Sequence, residues 1–208
     1  EFCTGASYEA FIDLKYIDEI PSVPTDNPEA VTPSKYLLWQ DLLIGLFDLH
    51  VKEIPAAKHY KDMAARFRKH IEDNPDWSVV FEVPERLCEV LSLKADMGIR
   101  ITEYYLQKDT AGLGKLVDED IPLLLQKLNA LREKHREQWF RTNKPFGWEV
   151  LDIRYGGLYA RIESAKWRLQ DYLEGRIESI PELEEERLSF NGTEVPKLFH
   201  YPWYKRIV

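Results

Sequence analysis

The stretch FGWEVLDIRYGGLYAR, residues 146–161, gathers side chains of the types that bind sugars: Trp148, Asp152, Arg154 and Tyr155 within eight positions. Aromatic rings cover the apolar faces of a pyranose, while a carboxylate and a guanidinium hydrogen-bond its hydroxyls. Trp148 and Tyr155 fall on one helical seam, Asp152 lies one turn after Trp148, and Arg154 and Arg161 are two turns apart on a flank. Gly156 and Gly157 interrupt the same stretch, and each costs about 0.8–1 kcal/mol against Ala inside a helix. Two uses would justify them. A neighbouring helix could approach closely, with Gly98 as the matching position, which is the simpler reading. Alternatively, the bare backbone leaves room for a ligand or another domain.

Other reactive types are present without the spacing that chemistry requires. The five histidines, at 50, 59, 70, 135 and 200, are scattered, and the Glu-x-x-His pairs of a di-iron bundle are missing. His135 sits on an apolar seam, where a hydrogen-bonded core histidine is the expectation. Cys88 lies on an apolar helical face and reads as a structural thiol. TAGLGK, residues 110–115, lacks the spacing of a phosphate loop. No metal and no cofactor are expected, and no residue of this chain is assigned a catalytic role.

The elements that position these residues read as helices. Ser7 to Leu14 suggests a short helix with Ser7 as N-cap. Four prolines between 20 and 34 mark a loop, and the very apolar YLLWQDLLIGLFDLHV, 36–51, should be buried, as helix or as extended chain. A first long helix is expected from about 56, with Tyr60, Ala64, Phe67 and Ile71 on one face, ending at Asn74-Pro75. A second runs from about Pro84 to Lys108 with Leu87, Leu91, Ala95, Gly98, Ile101 or Thr102, and Tyr105 along it. A third follows Asp109-Thr110 to about Arg141, with a kink at Pro122, which has no N–H for the carbonyl of Asp118. The fourth starts near Phe146 and ends at Gly175; its seam is Trp148, Leu151, Tyr155, Leu158, Ile162, Ala165, Leu169 and Tyr172. Asn191-Gly192 between short apolar runs suggests a small hairpin. The fold expected is all-α: an antiparallel bundle of three to four long helices with irregular termini. Residues 1–15 form a remnant of a preceding domain or an N-terminal helix, 16–54 a lead-in, 55–175 the bundle and 176–208 a tail packed on it.

Composition narrows the partners. The chain has 208 residues, a net charge of −8, 44% apolar and 31% charged residues, the balance of a globular domain. The negative charge argues against nucleic acid and against an anionic membrane surface. No stretch is long and apolar enough for a membrane span. With only Cys3 and Cys88, a disulfide framework is not implied, and a reducing, cytoplasmic setting is expected.

Four segments, TGASYEAFIDL, KYLLWQDLLIGLFD, RTNKPFGWEVLDIRYGGLYARIESAKWRLQDYL and YPWYKRIV, resemble the C-terminal helical domain of bacterial β-N-acetylhexosaminidases of glycoside hydrolase family 20. The resemblance implies a parent enzyme that removes terminal N-acetylglucosamine or N-acetylgalactosamine from an amino-sugar glycoside. It does so with an adjacent Asp-Glu pair on a barrel and the substrate's own acetamide as nucleophile, an exception to the two-carboxylate scheme. The only Asp-Glu dipeptides here, Asp18-Glu19 and Asp118-Glu119, have no strand end around them. The chain is therefore read as an accessory domain, inactive alone. Its partners would be the barrel of the same polypeptide and, as one option, a second copy in a homodimer. Trp148, Asp152, Arg154 and Tyr155 are candidates for a substrate rim beside the barrel. The rival reading is a stand-alone helical module that binds a partner protein.

Overall fold

The computed structural model of the chain describes residues 5–20, 32–192 and 195–196, and the fold is all-α. Helix α1 (Tyr8–Tyr16) begins where expected: the Ser7 hydroxyl accepts the Ala10 amide at 3.2 Å. The prolines at 21, 24 and 28 fall outside the described residues. The apolar lead-in settles as two short helices, α2 (Pro33–Trp39) and α3 (Asp48–Val51), joined by turns and largely buried.

Four long helices follow. Helix α4 (Ala56–Asp73) lies along α5 (Ser78–Lys94), α5 along α8 (Ile121–Thr142), and α8 along α9 (Trp148–Leu173). Helix α1 packs on α4, and α2 on α5. Helix α4 ends at Asn74-Pro75 as the sequence requires, and Tyr60, Ala64 and Phe67 are buried on its inner face. One hydrophobic cluster runs from Ala10 through the long helices to Leu183.

Three expectations are corrected. The second helix does not start at Pro84 and is not continuous: α5 begins at Ser78, carries Pro84 inside it, and gives way at Ala95-Asp96 to α6 (Met97–Leu106). Proline removes a single intrahelical hydrogen bond, and burial of Phe81 against Phe11 and Phe67 outweighs that loss. The apolar stripe survives the break, since Leu91, Ala95, Gly98, Ile101 and Tyr105 all stay buried. Secondly, the kink ahead of Pro122 takes a defined form. After α7 (Thr110–Lys115), residues Leu116–Asp120 form a π turn, and the Ile121 amide reaches back to the Leu116 carbonyl. The wider turn absorbs the residue whose partner proline cannot supply. Thirdly, no strand forms among the described residues, so the small hairpin is absent there. Asn191 and Gly192 do take positive φ, but they close a single turn in which the Gly192 amide donates to Ser189. Thr193 and Glu194 lie outside the described residues.

Helix α9 stops at Leu173 in the manner the sequence predicted. The Gly175 amide donates to the Tyr172 carbonyl and the Arg176 amide to Asp171, the paired bonds of a Schellman ending. The chain then returns across the bundle. The Tyr105 hydroxyl donates to Glu184 on α10 (Pro181–Glu184) and accepts the Ile180 amide.

Candidate functional site

The turn NKPFG sets the start of α9. Gly147 adopts φ +97, and its amide donates to the Glu149 carboxylate at 2.8 Å. The Trp139 indole donates to the Lys144 carbonyl at 3.0 Å, under the same turn. A side chain on Gly147 would press on the Trp139 ring, so glycine answers both a left-handed backbone and a close approach.

From this start α9 distributes the four candidate residues over three surroundings. Trp148 is buried, 4% exposed, against His135, Trp139 and Phe140. Its indole Nε1 has no hydrogen-bond partner among the described residues. Tyr155 is equally buried and its hydroxyl meets His135 Nδ1 at 3.0 Å. Burial pushes the Tyr155 phenol up to about 12, with Arg132 opposing, and burial lowers the His135 pKa, so a neutral imidazole faces a neutral phenol. Asp152, on the flank toward α8, accepts two hydrogen bonds from Arg132 at 2.8 and 3.1 Å. Arg154 lies on the opposite flank with its guanidinium 4.5 Å above the Trp39 ring. Trp39 packs in turn on Tyr155 at 5.5 Å. An unbroken file of rings thus links Arg154 to Phe140 through Trp39, Tyr155, His135 and Trp148.

Two shallow concavities flank α9. One, of about 330 Å³, is lined by Asn129, Arg132, Asp152, Tyr155, Gly156 and Tyr159 among others. The second, of about 260 Å³, is lined by Trp39, Asp41, Ile153, Arg154, Gly157 and Arg161 among others. In it Arg161 donates to Asp41 at 2.7 Å. Burial works to raise the Asp41 carboxyl, but the Arg161 hydrogen bond and those from the Leu43 and Ile44 amides outweigh it and hold it below its ordinary range. The structure therefore joins Asp152 with Tyr155 in one concavity, puts Arg154 in the other, and sets Trp148 in the core. Trp39, Asp41 and Arg132 were not singled out from the sequence. For the first two the signal was Trp39-Gln40-Asp41, a polar break inside an otherwise apolar run.

The glycine pair decides between its two uses. A Cβ at Gly156 or Gly157 would meet nothing within 4 Å, and both residues are exposed. Close approach by another described helix of this chain is thus overturned. Gly98, its supposed counterpart, packs instead on the Leu42 carbonyl and Asp48.

The remaining reactive types are structural where described. Asp13 is buried between His70, at 2.7 Å, and Arg66. Cys88 is buried and its thiol pushed up by that burial; Cys3 is outside the described residues. Asp18 accepts the Ser34 amide and hydroxyl at 2.6 and 3.0 Å, at the start of α2. Asp118 and Glu119 are exposed on the π turn. No group of His, Cys, Asp and Glu suited to a metal occurs among the described residues, and none of their helices is long and apolar enough to cross a membrane.

The described residues define an all-α helical domain. The chain belongs to the glycoside hydrolase 20C C-terminal domain family, whose model matches residues 9–200. It is accordingly an accessory domain of a multidomain glycoside hydrolase. No curated protein matches the chain.

Proposed function

We propose that this domain serves a β-N-acetylhexosaminidase that removes terminal N-acetylglucosamine or N-acetylgalactosamine by substrate-assisted, retaining hydrolysis. The domain supports the catalytic barrel of the same polypeptide, or a dimer of it, in the cytoplasm. It has no turnover of its own. The observation that carries this reading is the family match over residues 9–200, together with the stretch 141–173, whose string of residues resembles the bacterial exo-acting enzymes. The Asp-Glu dipeptides support it too, because one holds the start of α2 and the other lies on an exposed turn, away from both concavities. Assay of the isolated chain on a chromogenic N-acetylglucosaminide tests the proposal: no hydrolysis is expected, and measurable hydrolysis would defeat the accessory role.

The rim assignment divides with the geometry. In this reading Asp152 and Arg154, the two members outside the core, meet a substrate or the barrel, while Trp148 and Tyr155 stay buried. In the parent enzyme, Asp152→Ala should raise KM several-fold while kcat changes little, the pattern of lost uniform binding. An unchanged KM would remove Asp152 from the rim. The rival reading, a stand-alone interaction module, draws on the exposed apolar residues of α9. It is separated from the first by whether the coding sequence upstream encodes a barrel with an Asp-Glu pair at a strand end.

A further inference from the structure

The concavity between α8 and α9 presents polar atoms that the described contacts leave free. Asp152, Gly156 and Tyr159 stand on one face of α9, and Asn129 and Arg132, one turn apart on α8, stand across from them. The ion pair between Arg132 and Asp152 is one-sided. Nε and Nη2 of Arg132 both donate to Oδ1 of Asp152, and no described residue hydrogen-bonds Oδ2 of Asp152 or Nη1 of Arg132. The two side chains are 41% exposed at Arg132 and 42% at Asp152. The pair therefore fixes both groups and still offers an outside molecule one charged acceptor and one charged donor. Asn129 adds a further acceptor: its amide nitrogen donates to Glu133 at 2.8 Å, and its side-chain carbonyl has no described donor. Tyr159, one turn beyond Gly156, is 37% exposed and supplies an aromatic surface. A Cβ at Gly156 would meet nothing within 4 Å, so the concavity reaches the bare backbone of α9.

We propose that this concavity is a saccharide-binding site complete within the domain, taking one neutral pyranose ring of a glycoside. Charge selects that class. Arg132 and Asp152 cancel, so a free anion is opposed by the carboxylate and a free cation by the guanidinium. A neutral ring of hydroxyls satisfies both: one hydroxyl donates to Oδ2 of Asp152 and another accepts from Nη1 of Arg132. The Tyr159 ring beside them can cover an apolar C–H face of the sugar. The volume of about 330 Å³ stands at the small end of the roughly 300–1,000 Å³ of small-molecule sites and suits a single ring. The second concavity differs in this respect: Arg161 is paired with Asp41, and Arg154 has no acidic partner among the described residues, which leaves a positive charge over. Each glycine of the pair opens onto one of the two, Gly156 onto the first and Gly157 onto the second. The inference deepens the rim assignment of Asp152 and rests on it for the kind of ligand, a saccharide being what a glycoside hydrolase meets. It goes further in needing no residue of the catalytic domain.

The chain encloses its own continuous core, so the test is a titration of the isotope-labelled chain with methyl β-N-acetylglucosaminide, followed by amide chemical shifts. Saturable shifts are expected at 128–132 and 152–160, with a Kd in the millimolar range that suits a shallow site. Gly156→Leu fills the concavity and should weaken binding roughly tenfold or more. It should leave the circular dichroism unchanged, because the position is exposed and unopposed. Gly157→Leu, which opens onto the other concavity, should bind as wild type does. Asp152→Asn, which keeps the shape and removes the charge, should weaken binding several-fold. The proposal is overturned by a titration without saturable shifts, by shifts confined to other helices, or by equal loss in the two glycine variants. Saturation of the same amides by sodium acetate overturns the neutral class of ligand. The rim assignment fails separately. A silent titration with a raised KM for Asp152→Ala in the parent enzyme leaves the rim and removes the self-contained site, and saturable binding with an unchanged KM does the reverse.

Discussion

Two pairs of glycines in this domain have opposite surroundings. Gly45 and Gly98 close on the buried carboxylate of Asp48: Gly45 takes φ +57 with Asp48 where its Cβ would be, and a Cβ on Gly98 would sit 3.0 Å from the Leu42 carbonyl oxygen. Around them, Lys94 is fully buried and donates to the Leu37 and Gln40 carbonyls at 2.9 and 2.7 Å. Arg187, from the chain beyond α10, donates to the carbonyls of Leu43 and Ile44. This region ties an irregular segment to the helices with charge in place of apolar area. Gly156 and Gly157, by contrast, face open space on an otherwise regular helix. The first pair is needed by the fold; no described residue packs against the second. A residue type thus reports a missing side chain, and only the surroundings say what uses the gap.

Substitutions should separate the two regions by size and by sign. The largest effect is expected at Lys94→Met, which strands the buried Leu37 and Gln40 carbonyls and takes from Asp48 one of the two cations near it. Removing one partner from a buried charged group costs about 3–5 kcal/mol, read from the urea midpoint, and Asp48→Asn in the same chain should recover part of it. Equal stability of Lys94→Met and wild type would mean that the ammonium contributes nothing there. Next, Gly98→Leu overpacks a site with no room and should cost about 1–3 kcal/mol. A neutral result would show that the 40–47 segment yields freely.

The pH dependence follows from the same pair. Burial raises Asp48 from its ordinary 3.8 to about 6, with Arg187, Lys94 and Gln40 opposing. A carboxyl raised in the folded state favours folding while protonated, so its stabilisation is present below its ordinary value and is lost as pH rises toward 6. Burial also lowers Lys94 from 10.5 to about 7, with Asp48 and Asp41 opposing, so the folded state sheds that proton first and stability recovers as pH climbs above 7. Measured against Asp48→Asn, wild type should lose stability between about pH 4 and 6 with a slope of up to about 1.4 kcal/mol per pH unit. A flat difference would place the carboxylate in water. The smallest effect has the opposite sign: Gly157→Ala should stabilise the monomer by about 0.8–1 kcal/mol. Destabilisation there would bring back a close crossing, which no described helix makes.

Much of the frame was legible because it depends on local periodicity. The seam from Trp148 to Tyr172, the end of α4 at Asn74-Pro75, the Ser7 cap and the disturbance before Pro122 all come from spacing or from one residue's missing N–H. What failed shares a cause. The start at Pro84 was misplaced and the break at Ala95-Asp96 was not foreseen, because buried Phe81 and the approach of the Leu42 carbonyl to Gly98 are long-range facts. The Asn191-Gly192 pair kept its turn backbone without a ladder beside it among the described residues. In the candidate site, residue type alone placed Trp148, Asp152, Arg154 and Tyr155 together; the helix sends them to the core and to two different flanks.

The sequence by itself determined that this chain is helical, which faces of its helices are apolar, and which family it belongs to, since all three are written in residue order at short range. The tertiary structure alone decided that Lys94 and Asp48 share a buried centre, that Trp39 lies beneath Arg154, and that the two glycines of α9 look outward. Those outcomes depend on which segments distant in sequence come to lie side by side. Helical periodicity specifies the faces that seek partners, but not which partner each will find.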